Sequence, residues 1–141
     1  MKLLGLSFTK INGEKHSEVP QDVKINSKID VLKVSSVKSD NFRFKEDVLA
    51  VKFFLGLDYA PNCASLEIEG NLLLGVDPKK AKEVLKDWEK KEIPEEFRLA
   101  LFNIIMRKSS LKALQIEDDL GLPPHIPFPI LKKTEDSSKN V

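Results

Sequence analysis

Two stretches near the middle of the chain alternate apolar and polar residues with a strict period of two. In DVLAVKFFLGLDY, residues 47–59, the set Leu49, Val51, Phe53, Leu55, Leu57 and Tyr59 recurs without a break. In ASLEIEGNLLLGV, residues 64–76, Leu66, Ile68, Leu72, Leu74 and Val76 are opposed by Ser65, Glu67, Glu69 and Asn71. Successive side chains of a strand point to opposite faces, so each stretch has one face to bury and one to leave wet. The link Ala60-Pro61-Asn62-Cys63 is built of turn formers. Together they predict an antiparallel hairpin.

Further strands precede it. Residues 2–11, KLLGLSFTKI, set Leu4, Leu6 and Phe8 on one face of an extended chain. Residues 23–37 place Val23, Ile25, Ile29 and Val31 at even spacing and then slip to Leu32 and Val34. A slip of one residue turns every later side chain to the other face, which predicts a β-bulge near Val31–Leu32.

After Val76 the period changes. Asp77-Pro78 pairs an N-cap carboxylate with a proline at the first helical position. Ala81, Val84, Leu85 and Trp88 then form the apolar stripe of an amphipathic helix lying on the sheet. Ile93-Pro94 breaks that helix, and Glu95 and Glu96 open the next near its positive end. This second helix has two stripes, Phe97, Leu101, Ile104 and Ile105 on one side and Leu99, Phe102 and Met106 on another. The second stripe must face either a last helix or another subunit. Residues 109–120, SSLKALQIEDDL, read as that short last helix, capped by Ser109 or Ser110 and closed by Gly121.

The segment LGLPPHIPFPIL, residues 120–131, carries Pro123, Pro124, Pro127 and Pro129, interleaved with apolar side chains. A free linker has no use for Ile126, Phe128, Ile130 and Leu131. The segment is therefore expected to run extended across the domain or its neighbour as a strap, with His125 as a spacer. The charged KKTEDSSKNV after it reads as a flexible tail, which gives a single domain over 1–131 and a tail over 132–141. The fold class expected is α+β: a four-stranded antiparallel sheet followed by a proline-broken helical half packed on one face.

Residues that carry chemistry are sparse. His16 and His125 belong to no ligand-spaced pair, and the single Cys63 sits at a hairpin tip without a local activator. Glu67 and Glu69 share the wet face of one strand, and Glu117-Asp118-Asp119 reads as a solvated acidic run. The six glycines are scattered, so no phosphate-cradling loop forms. No catalytic residue, cofactor site or metal site is expected. Lys79, Lys80, Lys82, Lys86, Lys90 and Lys91 crowd one helix, but Glu83, Asp87, Glu89 and Glu92 interleave with them. With a net charge of +1 at pH 7, this argues against nucleic acid as a partner. One cysteine, no signal-like apolar run and no span of membrane length lead to the expectation of a cytoplasmic protein without membrane insertion.

Apolar surface is in surplus. Val48, Ala50 and Phe54 add a second apolar face to residues 47–59, and Phe42 and Phe44 precede it in a charged connection. A tightly packed core, or an exposed groove or subunit interface, would absorb this surplus. The order of elements resembles the SecB-like export chaperones: a strand-rich half ending in a hairpin, a proline-broken helix, and a Phe- and Pro-containing end. LGLPPHIPFPIL looks like the ending of short archaeal members, whereas Ile93-Pro94-Glu95-Glu96-Phe97 stands where the bacterial chaperone has an FPYAR-type stretch. The resemblance implies an ATP-independent holdase that assembles as a homo-oligomer, dimer or tetramer, and binds unfolded or preprotein clients, for protein export. Phe42, Phe44, Phe54, Phe102, Met106, Ile126 and Phe128 are the candidate client-binding residues. The alternative is an adaptor or antitoxin-neutralising module with one dedicated partner.

Overall fold

The computed structural model describes residues 1–37, 47–129 and 131. Four strands, β1 (Lys2–Lys15), β2 (Lys24–Val37), β3 (Asp47–Ala60) and β4 (Ala64–Val76), are followed by two helices, α1 (Pro78–Trp88) and α2 (Glu95–Leu120). The sheet has the order β1-β4-β3-β2, every neighbouring pair antiparallel, so the fold is α+β.

The alternating hairpin forms the two central strands. Leu49, Val51, Phe53, Leu55, Leu57 and Tyr59 of β3 and Leu66, Ile68, Leu72, Leu74 and Val76 of β4 are all buried on the face that the helices cover. On β4 that face has a gap at Gly70. Phe53 pairs with Gly70 and its ring lies over the position where a Cβ would stand. Phe8 of β1 meets the same ring edge-on, with centroids 6.4 Å apart. At the hairpin tip the amide of Cys63 donates to the carbonyl of Tyr59 at 2.8 Å, and Asn62 takes a left-handed conformation.

The bulge expected in β2 is present: Val31 pairs with Phe53 and Lys33 with Lys52, which leaves Leu32 as the extra residue. β1 carries two such shifts, between Leu3 and Gly5 and between Phe8 and Lys10. The first corrects the sequence expectation for this strand. Leu4 falls at a bulge, and Leu3, Leu6 and Phe8 are the residues that pack on the core. From β1 the chain crosses the end of the sheet to β2 past the hairpin tip, where the amides of His16 and Ser17 both donate to the Cys63 carbonyl.

α1 lies over β2 and β3, and α2 over β1, β3 and β4. Pro78 opens α1, although Asp77 makes no side-chain cap bond. Lys91, left-handed, follows its end, with the Glu92 amide donating to the carbonyl of Asp87 at 3.0 Å. α2 is one continuous helix of 26 residues, not two. Ser109 and Ser110 do not cap a last helix; they are buried within this one. Phe97, Leu101, Ile105, Ser109, Ala113 and Glu117 are buried at intervals of four, and Ser110 is buried beside that row. The helix thus covers the two apolar clusters of the sheet in turn, one around Phe53, Leu72 and Leu101 and one around Tyr59, Leu66 and Ala113. Of the second stripe, Phe102 and Met106 rest against these clusters while Leu99 is 59% exposed. Among the described residues no helix is long and apolar enough to cross a membrane.

Candidate functional site

A cleft of about 690 Å³ opens where the helical layer stops short of the β2 edge. Its floor is Ile29, Asp30, Val31 and Leu32 of β2; its wall is Trp88, the linker residues Lys91, Glu92 and Ile93, and Arg98 and Phe102 of α2. The sequence builds it locally. The β2 bulge brings Leu32 out, 40% exposed, beside Val31, while Pro94 ends the linker at the N-cap of α2. The left-handed turn at Lys91 folds its ammonium over the Trp88 ring, 4.8 Å from the centroid, which fixes the indole as part of the wall. The charged groups on the rim are balanced, Asp30 and Glu92 against Lys91 and Arg98. β2 is also an edge strand: among the described residues nothing pairs with its outer side. The cleft thus sets the apolar side chains of Trp88, Ile93 and Phe102 beside a strand edge with unpaired backbone groups, and an extended peptide adds to a sheet at such an edge.

The seven candidate binding residues do not converge on this cleft. Phe102 lines it. Phe54 lies on the opposite face of the sheet, its ring over Gly56 in a shallow groove of about 320 Å³ shared with Asn26, Lys28, Asp58 and Glu67. Met106 packs against the cluster near the hairpin tip, Ile126 is half-buried on the C-terminal segment, and Phe128 is 55% exposed. Phe42 and Phe44 fall outside the described residues. Trp88, Ile93, Ile29, Val31 and Leu32 were read from sequence as stripe, breaker and slip; only the tertiary placement of the linker turns them into a wall. On the face bearing Phe54, Glu67 takes a hydrogen bond from Lys10 at 2.8 Å, and that bond with the attendant charge attraction raises the lysine's pKa.

A second constellation lies at the other end of α2. Glu117 is not solvated, as its acidic neighbours suggested, but almost completely buried, and His125 is not a spacer. The Tyr59 hydroxyl donates to Glu117 Oε2 and lies 3.0 Å from the Pro123 carbonyl. His125 Nδ1 is 2.8 Å from Glu117 Oε1, and its Nε2 is 3.1 Å from Ser110 Oγ. Burial first, and the Glu117 carboxylate second, push the Tyr59 hydroxyl far above its ordinary pKa of 10.0. A signal for this group existed in the sequence. Glu117 continues the four-residue series of buried positions, and acids are disfavoured in the last turn of a helix unless something else holds them. Among the described residues no group of three or more His, Cys, Asp or Glu is placed to hold a metal ion.

The described residues thus define an α+β domain with a cleft of mixed apolar and charged lining at an edge strand, and a buried polar cluster. No family model and no curated protein matches the sequence. Among solved structures the chain is similar to the Mycobacterium tuberculosis Rv1957 SecB-like chaperone, solved in complex with a ChAD peptide from the Rv1956 HigA1 antitoxin. The two are 16% identical, with a TM-score of 0.49, over 94% of this chain and 91% of that one.

Proposed function

We propose that this chain is an ATP-independent, SecB-like holdase that keeps unfolded or preprotein clients from aggregating, in the cytoplasm and as a homo-oligomer. The observation that carries the reading is the cleft beside the unpaired edge of β2, where Trp88, Ile93 and Phe102 stand among charged groups. An extended client segment adds to the edge through main-chain hydrogen bonds and drops alternate side chains between Trp88, Ile93 and Phe102. Main-chain pairing is blind to sequence, and the balanced rim repels neither acidic nor basic clients. Each large apolar side chain buried contributes about 1.5–3 kcal/mol before the cost of ordering the client. Single sites of that strength are weak, so copies joined in one oligomer hold a long client by avidity. The likeness to short archaeal members of the family rests on the LGLPPHIPFPIL ending.

The test is suppression of aggregation of an unfolded protein by the pure chain without nucleotide. Trp88 is the chain's single tryptophan, so its fluorescence should shift as an extended apolar peptide titrates in. Phe102→Ser should weaken both effects. No suppression at several-fold molar excess sinks the proposal. Recovery of one partner at fixed stoichiometry would favour a dedicated adaptor, and a strictly monomeric mass would remove the avidity argument.

A further inference from the structure

The segment after α2 is fastened by polar groups more than by apolar area. α2 ends in a left-handed Gly121, and the Leu122 amide then donates to the Glu117 carbonyl at 2.8 Å, which turns the chain back along the helix. Among the described residues of the segment Leu122 is the one buried apolar residue, and Phe128 and Leu131 project into solvent. What holds the segment beyond Leu122 is His125, its side chain only 3% exposed, between Glu117 and Ser110, with the Pro123 carbonyl beside the Tyr59 hydroxyl. In the neutral tautomer that satisfies both contacts, Nδ1–H donates to the carboxylate and the Ser110 hydroxyl donates to Nε2. Tyr59 holds the other carboxylate oxygen, so strand, helix and segment meet at one buried acid.

The order Ser110, His125, Glu117 is also that of a nucleophilic triad. Ser110, however, sits inside a continuous helix whose neighbouring amides are spent on helical hydrogen bonds, which leaves no oxyanion donors. The cavities described above do not reach it. The geometry fits a fastening, not a reaction.

We propose that Tyr59, Ser110, Glu117 and His125 form a latch, and that residues 122–126 are a strap that opens as a unit while the sheet stays folded. Opening exchanges a few protein hydrogen bonds for bonds to water, returns the Glu117 carboxylate to solvent, and exposes Leu122 as its one buried apolar side chain among the described residues. Unfolding the sheet, in contrast, exposes two apolar clusters. The strap therefore samples an open state far more often than the strands do.

Hydrogen exchange on the intact chain tests this. The Leu122 amide, bonded to Glu117, reads the strap, and β4 amides read the sheet. The parent should exchange at Leu122 at least tenfold faster than at β4. His125→Ala should accelerate Leu122 at least tenfold further and leave β4 unchanged, and Ser110→Ala, which cuts one contact, should do the same more weakly. Equal rates at Leu122 and β4 in the parent, a joint acceleration of both in either variant, or no acceleration at all would each overturn the latch. Labelling of Ser110 in the parent by a fluorophosphonate probe would also overturn it, because that reaction requires an open, activated nucleophile.

Discussion

Replacing Gly70 and Gly5 by alanine should move stability in opposite directions, although both glycines lie in the same sheet. A Cβ on Gly70 would stand 2.5 Å from the Ser7 carbonyl oxygen and 2.8 Å from the Phe53 ring. The ring could turn, but it is wedged against Phe8, and the carbonyl belongs to the β1 backbone. Ser7 lies between the two bulges of β1, so relieving the clash means shifting that in-register stretch away from β4. Overpacking of this kind costs about 1–3 kcal/mol, and a backbone obstacle puts it at the upper end. Alanine regains about 0.5–1 kcal/mol, because glycine loses more freedom in a strand. The net expectation for Gly70→Ala is a loss of about 2 kcal/mol. A chain of this size has a urea dependence of about 2 kcal/mol per molar, so the unfolding midpoint should fall by about 1 M. At Gly5 the nearest atom to an added Cβ is Leu73 Cδ1 at 3.7 Å, an ordinary contact. Gly5→Ala should keep the entropic gain alone and raise the midpoint by about 0.3 M. Equal midpoints for Gly70→Ala and the parent, or a fall for Gly5→Ala matching that for Gly70→Ala, would refute the reasoning.

Tyr59 is the chain's single tyrosine, so phenolate absorbance reports on it alone. Its raised pKa means the folded state holds the phenolic proton more tightly than the unfolded state. This contribution to stability is complete below the ordinary value of 10.0 and is lost as pH climbs beyond it. The titration should lie well above 10.0 in the parent and move back down in His125→Ala, where the strap opens; an ordinary titration in the folded parent would contradict the burial. Ser109 Oγ is buried without a hydrogen-bond partner among the described residues. Ser109→Ala should therefore stabilise the chain by about 1 kcal/mol, from the relieved desolvation and the better helix former, and thermal unfolding would show a higher midpoint.

The sheet was legible because its signals are local. The β3–β4 hairpin declares itself by unbroken alternation around a turn, and the slip at Val31–Leu32 marks a bulge that the register confirms. The helical half was harder. Ser109-Ser110 resembles a cap because serine competes for backbone bonds, yet packing on both sides carried α2 straight through it. Of the cleft, only Phe102 was legible. Trp88 and Ile93 have the same sequence pattern whether they sit in a core or line its open side, and the difference is set by where the linker falls over β2. The polar cluster unites residues from β3, α2 and the strap, and periodicity within one element says nothing about partners in another.

The strand order also fixes a timetable for folding. β2, β3 and β4 follow one another and pair as neighbours, so a meander can close by contacts near in sequence. β1 is made before any of them, yet Lys15 has to find Ala64 and Lys2 has to find Gly75. Closing so long a loop is slow, and it cannot begin until β4 has left the ribosome. During synthesis the chain therefore passes through a stage in which β1 is free and one edge of β4 is open. For that interval the protein is itself a partly folded polypeptide with an unpaired strand.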